Sequence, residues 1–425
     1  MKAIVIGSGL GGLLSAAKLS GAGYEVEVFE RLAMIGGRFT NFNTSGYQLT
    51  TGALHMLPHG PTGPLAQLIK EVDADIIIER QDDTAFMRIH EDLEKGIYKD
   101  VPFGKFGSTF SAWNRIKLAL LLLSTRKWSP KNCSFGEWIT KNLNMPIAHQ
   151  MADSFCGWAL SLEAADTPVE EAFEIFENLY RHGGPGVPIG GCKAVTDALA
   201  DVVRKNGGSI ETKTEVTEIL VENGKAVGVL IDGQRHMADI VISNIGHPFT
   251  NDLCKDAPTT PQYKQYLDKI RTIKPSAGVK ICLAANEPLI GHGGVLFTPS
   301  AKRVNGINEV TTIDPKLAPP GKHLVMAHQT VQWDRIPYIE EEIDMGIADL
   351  ERIFPNKDYE ILLAQSYHNG WPVNRSSSGT DIGNTTPIEG LYVVGDGAKG
   401  KGGIEVEGVA LGVKNTMNII LGEGN

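Results

Sequence analysis

The sequence predicts an α/β protein: a Rossmann-type dinucleotide-binding domain, discontinuous along the chain, joined to a second domain of α+β character. Three observations lead there. The N-terminus runs strand, glycine turn, helix, strand; short β-branched runs of the same kind return far downstream; and the sequence between them mixes helical and strand patterns without a repeat. At 425 residues the chain exceeds one small core, and at ~100–200 residues per domain it holds two or three domains. Hydrophobic residues make up 42% and charged residues 21%, the composition of a folded globular chain.

Lys2 to Ile6 is an apolar run bounded by glycines, and thus a buried strand. Leu13, Leu14, Ala17 and Leu19 recur at helical spacing, and Val26-Glu27-Val28-Phe29 is the next strand, which completes one βαβ unit. After Pro58 the chain becomes a Pro- and Gly-punctuated loop, followed by helical and strand-like stretches with no motif up to about residue 185. The glycine-rich stretch 183–191 leads into a helix from Ala194 to Lys205. Val216, Ile219 and Val221 then face Val227, Val229 and Ile231 across Asn223-Gly224, a pair that tolerates the positive φ of a hairpin turn. Asp239 to Asn244 reads as a buried parallel strand. Residues 250–385 mix both patterns around loops such as Ala318-Pro319-Pro320-Gly321, and α/β character returns with a strand at Leu391–Val394 and a helix from Val406 to Leu421. We therefore assign 1–72, 186–250 and 385–425 to the dinucleotide domain, and 73–185 and 251–384 to the substrate-binding domain.

The 40 Lys and Arg against 50 Asp and Glu leave a net charge of −10, which opposes a general attraction to nucleic acid or to an anionic surface. Cys133, Cys156, Cys192, Cys254 and Cys282 are scattered and never form C-x-x-C, so neither a disulfide framework nor a zinc site is expected. That favours a reducing, cytoplasmic setting. Glycines interrupt the N-terminal apolar run too early for a secretory signal. The most apolar later stretch, 116–123, falls short of the ~20 residues of a spanning helix.

Gly7-Ser8-Gly9-Leu10-Gly11-Gly12 fits G-x-G-x-x-G, follows a strand and opens a helix, the setting that makes the motif meaningful. Gly7 makes the tight turn, Gly9 lets the backbone approach a pyrophosphate, and Gly12, with Ala16, lets the helix pack on the strand. The positive end of that helix favours an anion. Glu30 closes the second strand at about the ~20-residue distance expected of a carboxylate that binds ribose hydroxyls. The fingerprint alone does not separate NAD from FAD.

The next segment does. Glu30-Arg31-Leu32-Ala33-Met34-Ile35-Gly36-Gly37-Arg38 brings a second glycine pair and a forked cation suited to a diphosphate. Here the chain resembles the FAD family that includes phytoene desaturases, monoamine and polyamine oxidases and protoporphyrinogen oxidase, in which the fingerprint is followed closely by G-G-R. The resemblance implies FAD, contacted by Gly7, Gly9, Leu10, Gly11, Gly12, Glu30, Arg31, Gly36, Gly37 and Arg38. It implies that Thr51, Gly52 and Ala53 pass the flavin ring, although the family often has an acidic residue where Thr50 stands. Val216 matches a position whose backbone meets the adenine and reads equally as an ordinary strand valine; Asn244 is a further expected contact. Gly395-Asp396 resembles the C-terminal G-D whose carboxylate accepts ribityl hydroxyls. Gly403, Ile404 and Val406 resemble the last helix start, which points at the pyrimidine edge of the ring.

In such a protein the flavin carries the redox chemistry, and no side-chain base is strictly required. His55 and Trp371 are candidate pocket residues, each readable also as structural. Pro188-Ile189-Gly190-Gly191 and Trp371-Pro372-Val373-Asn374 are closest to phytoene desaturases, which implies desaturation or saturation of an isoprenoid or carotenoid-like lipid. Segment 116–123, flanked by Arg115, Lys117, Arg126, Lys127 and Trp128, fits either a helix lying peripherally on a membrane or a core helix with a charged end. Two alternatives stand beside this. One is a flavin amine oxidase or protoporphyrinogen oxidase-like enzyme; amine oxidases commonly hold a lysine near flavin N5 and aromatic residues around the ring, and the sequence places neither. The other is a prenyl-binding escort, a class that does not keep a working flavin site, whereas Glu30, Arg38 and Asp396 are all present here.

Overall fold

The structure, a computed structural model, describes residues 1–52, 54–81, 85–92, 97–105, 111–117, 130–143, 145–368 and 380–422. Its first layer is a parallel sheet. The strand β1 (Lys2–Ile6) sits at the centre, with β2 (Glu25–Glu30) and β9 (Ser209–Thr212) on one side and β13 (Ile240–Ser243) and β19 (Leu391–Val393) on the other. Val5 lies between Val28 and Ile242, and Ala3–Ile6 of β1 and Ile240–Ile242 of β13 are continuously apolar because this sheet is covered on both faces.

On one face α1 (Leu10–Gly21), α2 (Pro64–Glu71), α6 (Gly191–Lys205) and α10 (Val406–Leu421) interlock through Leu13, Leu14, Leu65, Leu199, Val409 and Val413. Each such side chain, fully buried, contributes roughly 1.5–3 kcal/mol. The other face packs Ile4, Ile6 and Phe29 under a three-stranded sheet of β10 (Glu218–Glu222), β11 (Lys225–Ile231) and β12 (Gln234–Met237), with α7 (His247–Leu253) and α8 (Pro261–Ile270) beside it. Asn223 and Gly224 have φ of 52° and 79°, as the β10–β11 hairpin requires.

The second large sheet has the order β18 (Tyr359–Tyr367), β14 (Gly278–Ala285), β17 (His323–Thr330), β16 (Val304–Glu309), β15 (Val295–Phe297), β6 (Ala85–Asp92), β7 (Ile97–Pro102). It is antiparallel except where β15 meets β6. Side chains alternate across it. Val279, Ile281 and Leu283 face α9 (Ile339–Ile353), while Cys282 and Ala284 face Tyr47 and Leu49 of the hairpin β3 (Asn41–Thr44) and β4 (Tyr47–Thr50). Helices α3 (Phe135–Asn142), α4 (Pro146–Leu160) and α5 (Val169–His182) close this region through a Met- and aromatic-rich cluster, and β5 (Ile78–Glu79) pairs with β8 (Val187–Pro188).

Two boundaries differ from expectation by two residues or more, while the strands expected at Asp239–Asn244 and Leu391–Val394 run Ile240–Ser243 and Leu391–Val393. Helix α6 starts at Gly191, not Ala194, because Gly190 and Gly191, with φ of 87° and 77°, turn the chain straight into it. The strand expected to include Val216 starts at Glu218. Among the described residues no helix is long and apolar enough to cross a membrane.

Candidate functional site

The site grows from the end of β1. Gly7, at φ 88°, donates its N–H to Phe29 O at 2.8 Å, and a Cβ on Gly12 would overlap Gly7 O, so strand and helix touch backbone to backbone. Helix α1 begins at Leu10 with no side-chain cap and no acidic residue in its first turn. Its unpaired N–H groups and positive dipole end are therefore uncommitted. Glycines from three segments ring this end. Gly36 donates to Ser8 O at 2.9 Å, a Cβ on Gly37 would stand 3.5 Å from Gly9 Cα, and a Cβ on Gly11 would stand 2.8 Å from Gly395 Cα. The Asn244 side chain reaches between them: its Nδ2 lies 2.5 Å from where a Gly9 Cβ would be. This bare, uncapped cradle fits the diphosphate of a dinucleotide.

Glu30 is buried, and its carboxylate takes Ser8 N at 2.8 Å and Ser8 Oγ at 2.9 Å on one oxygen and Leu32 N at 2.9 Å on the other. With about four acceptor sites it keeps capacity for a ribose hydroxyl while shaping the fingerprint loop. Arg31 is exposed beside it. Val216 is buried near the carboxyl end of β2, because Lys213 N and Thr214 N donate to Leu32 O and Glu30 O at 2.9 Å each.

A second group of residues gathers at the other end. Arg38 and Asp396, 358 residues apart, form an ion pair, and the Arg38 guanidinium lies 5.5 Å from the Tyr367 ring centre. Thr51 Oγ1 donates to Gly37 O at 2.8 Å, and a Cβ on Gly52 would crowd Arg38 Cβ at 2.9 Å. The sheet supplies what sequence reasoning missed. Lys280, 1% exposed, donates to Thr50 O at 2.7 Å and Thr50 Oγ1 at 2.6 Å, and Gln365 donates to Thr51 O at 2.8 Å. Register sets Lys280 between His328 and Gln365, so three polar residues from three strands form one row behind the Thr50–Gly52 segment. Burial, with a further push from Arg38, holds the Lys280 amine below its usual range. Tyr367 bonds Ser161 Oγ at 2.5 Å and His328 Nε2 at 2.8 Å in the next row. The signal in the sequence was a lone lysine inside the otherwise apolar run Gly278–Ala285.

His55 is fully buried. Its Nε2–H donates to Gln48 O at 2.7 Å and its Nδ1 accepts from Cys192 N at 3.1 Å; burial pushes its pKa down to about 4. The structure thus makes it a neutral strut between β4 and α6, with both nitrogens engaged away from a pocket. Gly403 packs on Gly408 without room for a Cβ, Ile404 is buried in the Met- and aromatic-rich cluster, and Val406 opens α10 after Glu405, a non-glycine residue at φ 49°. Ala53, Trp371 with its neighbours Pro372-Val373-Asn374, and residues 118–123 lie outside the described residues.

The chain matches the family described as flavin containing amine oxidoreductase over residues 10–412. It is 44% identical over 424 residues to an uncharacterised protein of Methanocaldococcus jannaschii, covering 99% of each chain. It is 28% identical over 472 residues to a chloroplastic prolycopene isomerase of an Oncidium hybrid, covering 93% of this chain and 79% of that one. The crystal structure of an oxidoreductase from Methanosarcina mazei superposes with a TM-score of 0.95 at 56% identity, covering 98% of this chain and all of the other. The chain therefore belongs to the flavin containing amine oxidoreductase family and is an FAD-dependent oxidoreductase.

Proposed function

We propose that the chain desaturates or saturates an isoprenoid or carotenoid-like lipid by moving hydride between that lipid and its flavin. One observation carries this. A cluster rich in methionine and aromatic rings begins at Met56 and Ile404, beside the two segments expected to flank the flavin ring, and extends through Met87, Phe155, Trp158 and Phe297. Phe155 stacks on Phe176 at 5.0 Å between ring centres, and Phe297 meets Trp158 edge to face at 5.6 Å. Methionine yields in shape, and each CH₂ of a polyene buried there gains about 0.8 kcal/mol. The similarity to a prolycopene isomerase points the same way.

When bound, FAD supplies the hydride acceptor or donor at N5. The chain's residues do the rest. The α1 cradle and Glu30 would hold the dinucleotide, Arg38 and Asp396 would meet its charged and hydroxylated middle, and Lys280 and Gln365 fix the segment Thr50–Gly52. The buried lysine favours a second reading, amine oxidation, because amine oxidases commonly hold a lysine near N5 and Lys280 stands against Thr50.

The visible spectrum of the purified protein, followed anaerobically with a polyprenyl panel, an amine panel and NAD(P)H, tests both. Flavin bands bleached by a lipid support a desaturase, and oxidised bands restored by one after reduction support a saturase. Bleaching by amines alone moves the assignment to amine oxidation. If no polyprenyl compound exchanges electrons with either state, the lipid reading is wrong. A protein without flavin bands even after addition of FAD would bring the prenyl-binding escort forward.

A further inference from the structure

Two polar side chains inside the apolar interior have nothing to bond. Asn308 is fully buried and neither its Nδ2 nor its Oδ1 has a partner; Trp158 is 7% exposed, and its Nε1 is buried without an acceptor. Asn308 lies on one face of the seven-stranded sheet, and Trp158 of α4 packs against that face. Register sets Gly306 opposite His328 and His328 opposite Lys280, and sets Asn308 opposite Met326 and Met326 opposite Cys282. Gly306 and Asn308 therefore point to the face that carries Lys280. The Trp158 ring rests on Gly306, where a Cβ would meet its Cδ1 at 2.6 Å, and Nε1 is bonded to that carbon. Alternate residues of a strand lie about 7 Å apart, so Gly306, beneath the indole, and Asn308 are successive positions on this face, two strands or about 10 Å across from the Lys280 strand.

Buried donors and acceptors that bond nothing are rare, because each has given up its water for no return. Beside Asn308 stand Val295 and Met326, with Cys282, a weak donor at most, one strand further; His328 stands across from Gly306 and is bonded to Tyr367 Oη. We infer that Asn308 and Trp158 recognise a hydroxyl group on the substrate, so that the substrate is an oxygenated isoprenoid and not a pure hydrocarbon. A hydroxyl oxygen accepts from the indole N–H and from Asn308 Nδ2, and its own hydrogen goes to Oδ1. A carbonyl would leave Oδ1 unmet, an ammonium would leave both N–H donors unmet, and a hydrocarbon would meet none. The isoprenoid chain would then lie along the methionine and phenylalanine side chains of the neighbouring cluster. This inference rests on the lipid reading above.

Equilibrium binding to the holoenzyme of geranylgeraniol, and of the hydrocarbon that lacks only its hydroxyl, tests it. The alcohol is expected to bind tighter by about tenfold or more, and Asn308→Leu to abolish that preference while leaving hydrocarbon affinity unchanged. Because the substitution replaces an unbonded amide with an apolar group of similar size, the melting temperature should hold or rise. A fall in melting temperature with the preference intact would mean that the amide serves the fold, and would overturn the inference. Trp158→Phe, which removes only one donor from the ring system, should lower the preference part of the way and serves if Asn308→Leu does not fold. If both ligands bind equally, the lipid reading stands and the hydroxyl inference falls; if neither binds, both fall.

Discussion

A side chain at Gly12 has nowhere to go, since its first carbon would overlap Gly7 O in the strand beneath. Gly12→Ala must push α1 off β1, an overpacking worth about 1–3 kcal/mol, and the displaced helix no longer presents its N–H groups to the diphosphate. We expect this variant to purify with well under one flavin per chain and to melt earlier, read from the ratio of flavin to protein absorbance and from a thermal melt. Lys280 makes a different kind of prediction. Its amine is buried against Thr50 and depressed in pKa by that burial, so removing it takes away two buried hydrogen bonds, about 1–3 kcal/mol together, and with them an amine able to give up its proton. Lys280→Met should keep FAD and slow substrate-driven bleaching by about a hundredfold in stopped-flow measurements. An unchanged rate would show that Lys280 only anchors the Thr50 segment.

At the scale of elements, α10 also caps a neighbouring helix. Helix α2 starts after Gly63, which has no side chain to cap it, and Glu407 of α10 caps it instead, its carboxylate taking Leu65 N at 2.8 Å and His59 N at 3.2 Å. A Cβ on Gly63 would lie 2.6 Å from Glu407 Oε1, so the cap needs glycine there. Glu407→Ala strands two buried N–H groups and should cost about 2 kcal/mol or more in urea unfolding, whereas Glu407→Gln, which still accepts, should cost clearly less. This bond joins residues 342 apart, and such pairings mark where the sequence stops being informative. The βαβ unit was legible because its glycines, strand and helix are adjacent and each residue's conformational demand is local. The hairpin at Asn223-Gly224 was legible for the same reason. The seven-stranded sheet was not: it draws β6 and β7 from residues 85–102 to strands 278–367, and only register brings Lys280, His328 and Gln365 into one row. His55 was drawn to the pocket by its motif, whereas its ring is consumed by Gln48 and Cys192, a pairing visible only once α6 docks.

Across the whole molecule, stability should depend on pH through three histidines in separate places. His55 lies between β4 and α6, His59 beside α2, and His247 under α8, where its Nδ1 accepts from Tyr266 Oη and its Nε2–H donates to Gly383 O at 2.8 Å each. All three are fully buried, and burial pushes each from 6.5 down to about 4. Between about pH 4 and 6.5 the unfolded chain therefore binds more protons than the folded one, and stability rises with pH across that window. At about 1.4 kcal/mol per pH unit, each histidine accounts for roughly 3 kcal/mol. Glu407 works in the opposite sense. Burial raises it from 4.5 to about 7, so between those values the folded chain holds the extra proton and stability falls as pH rises. Asp153, Glu163, Glu171 and Asp381, also raised by burial, join Glu407 in opposing the three histidines, so the rise from pH 4 to 6.5 is smaller than the histidines alone would give and is followed by a shallow loss toward pH 7. Urea midpoints measured through this range should trace that asymmetric rise; His247→Gln should flatten it by about the share of one histidine, and Glu407→Gln should steepen it. A flat profile below pH 6.5 would mean that these rings are protonated in the folded state, and the neutral strut at His55 would have to be abandoned with them.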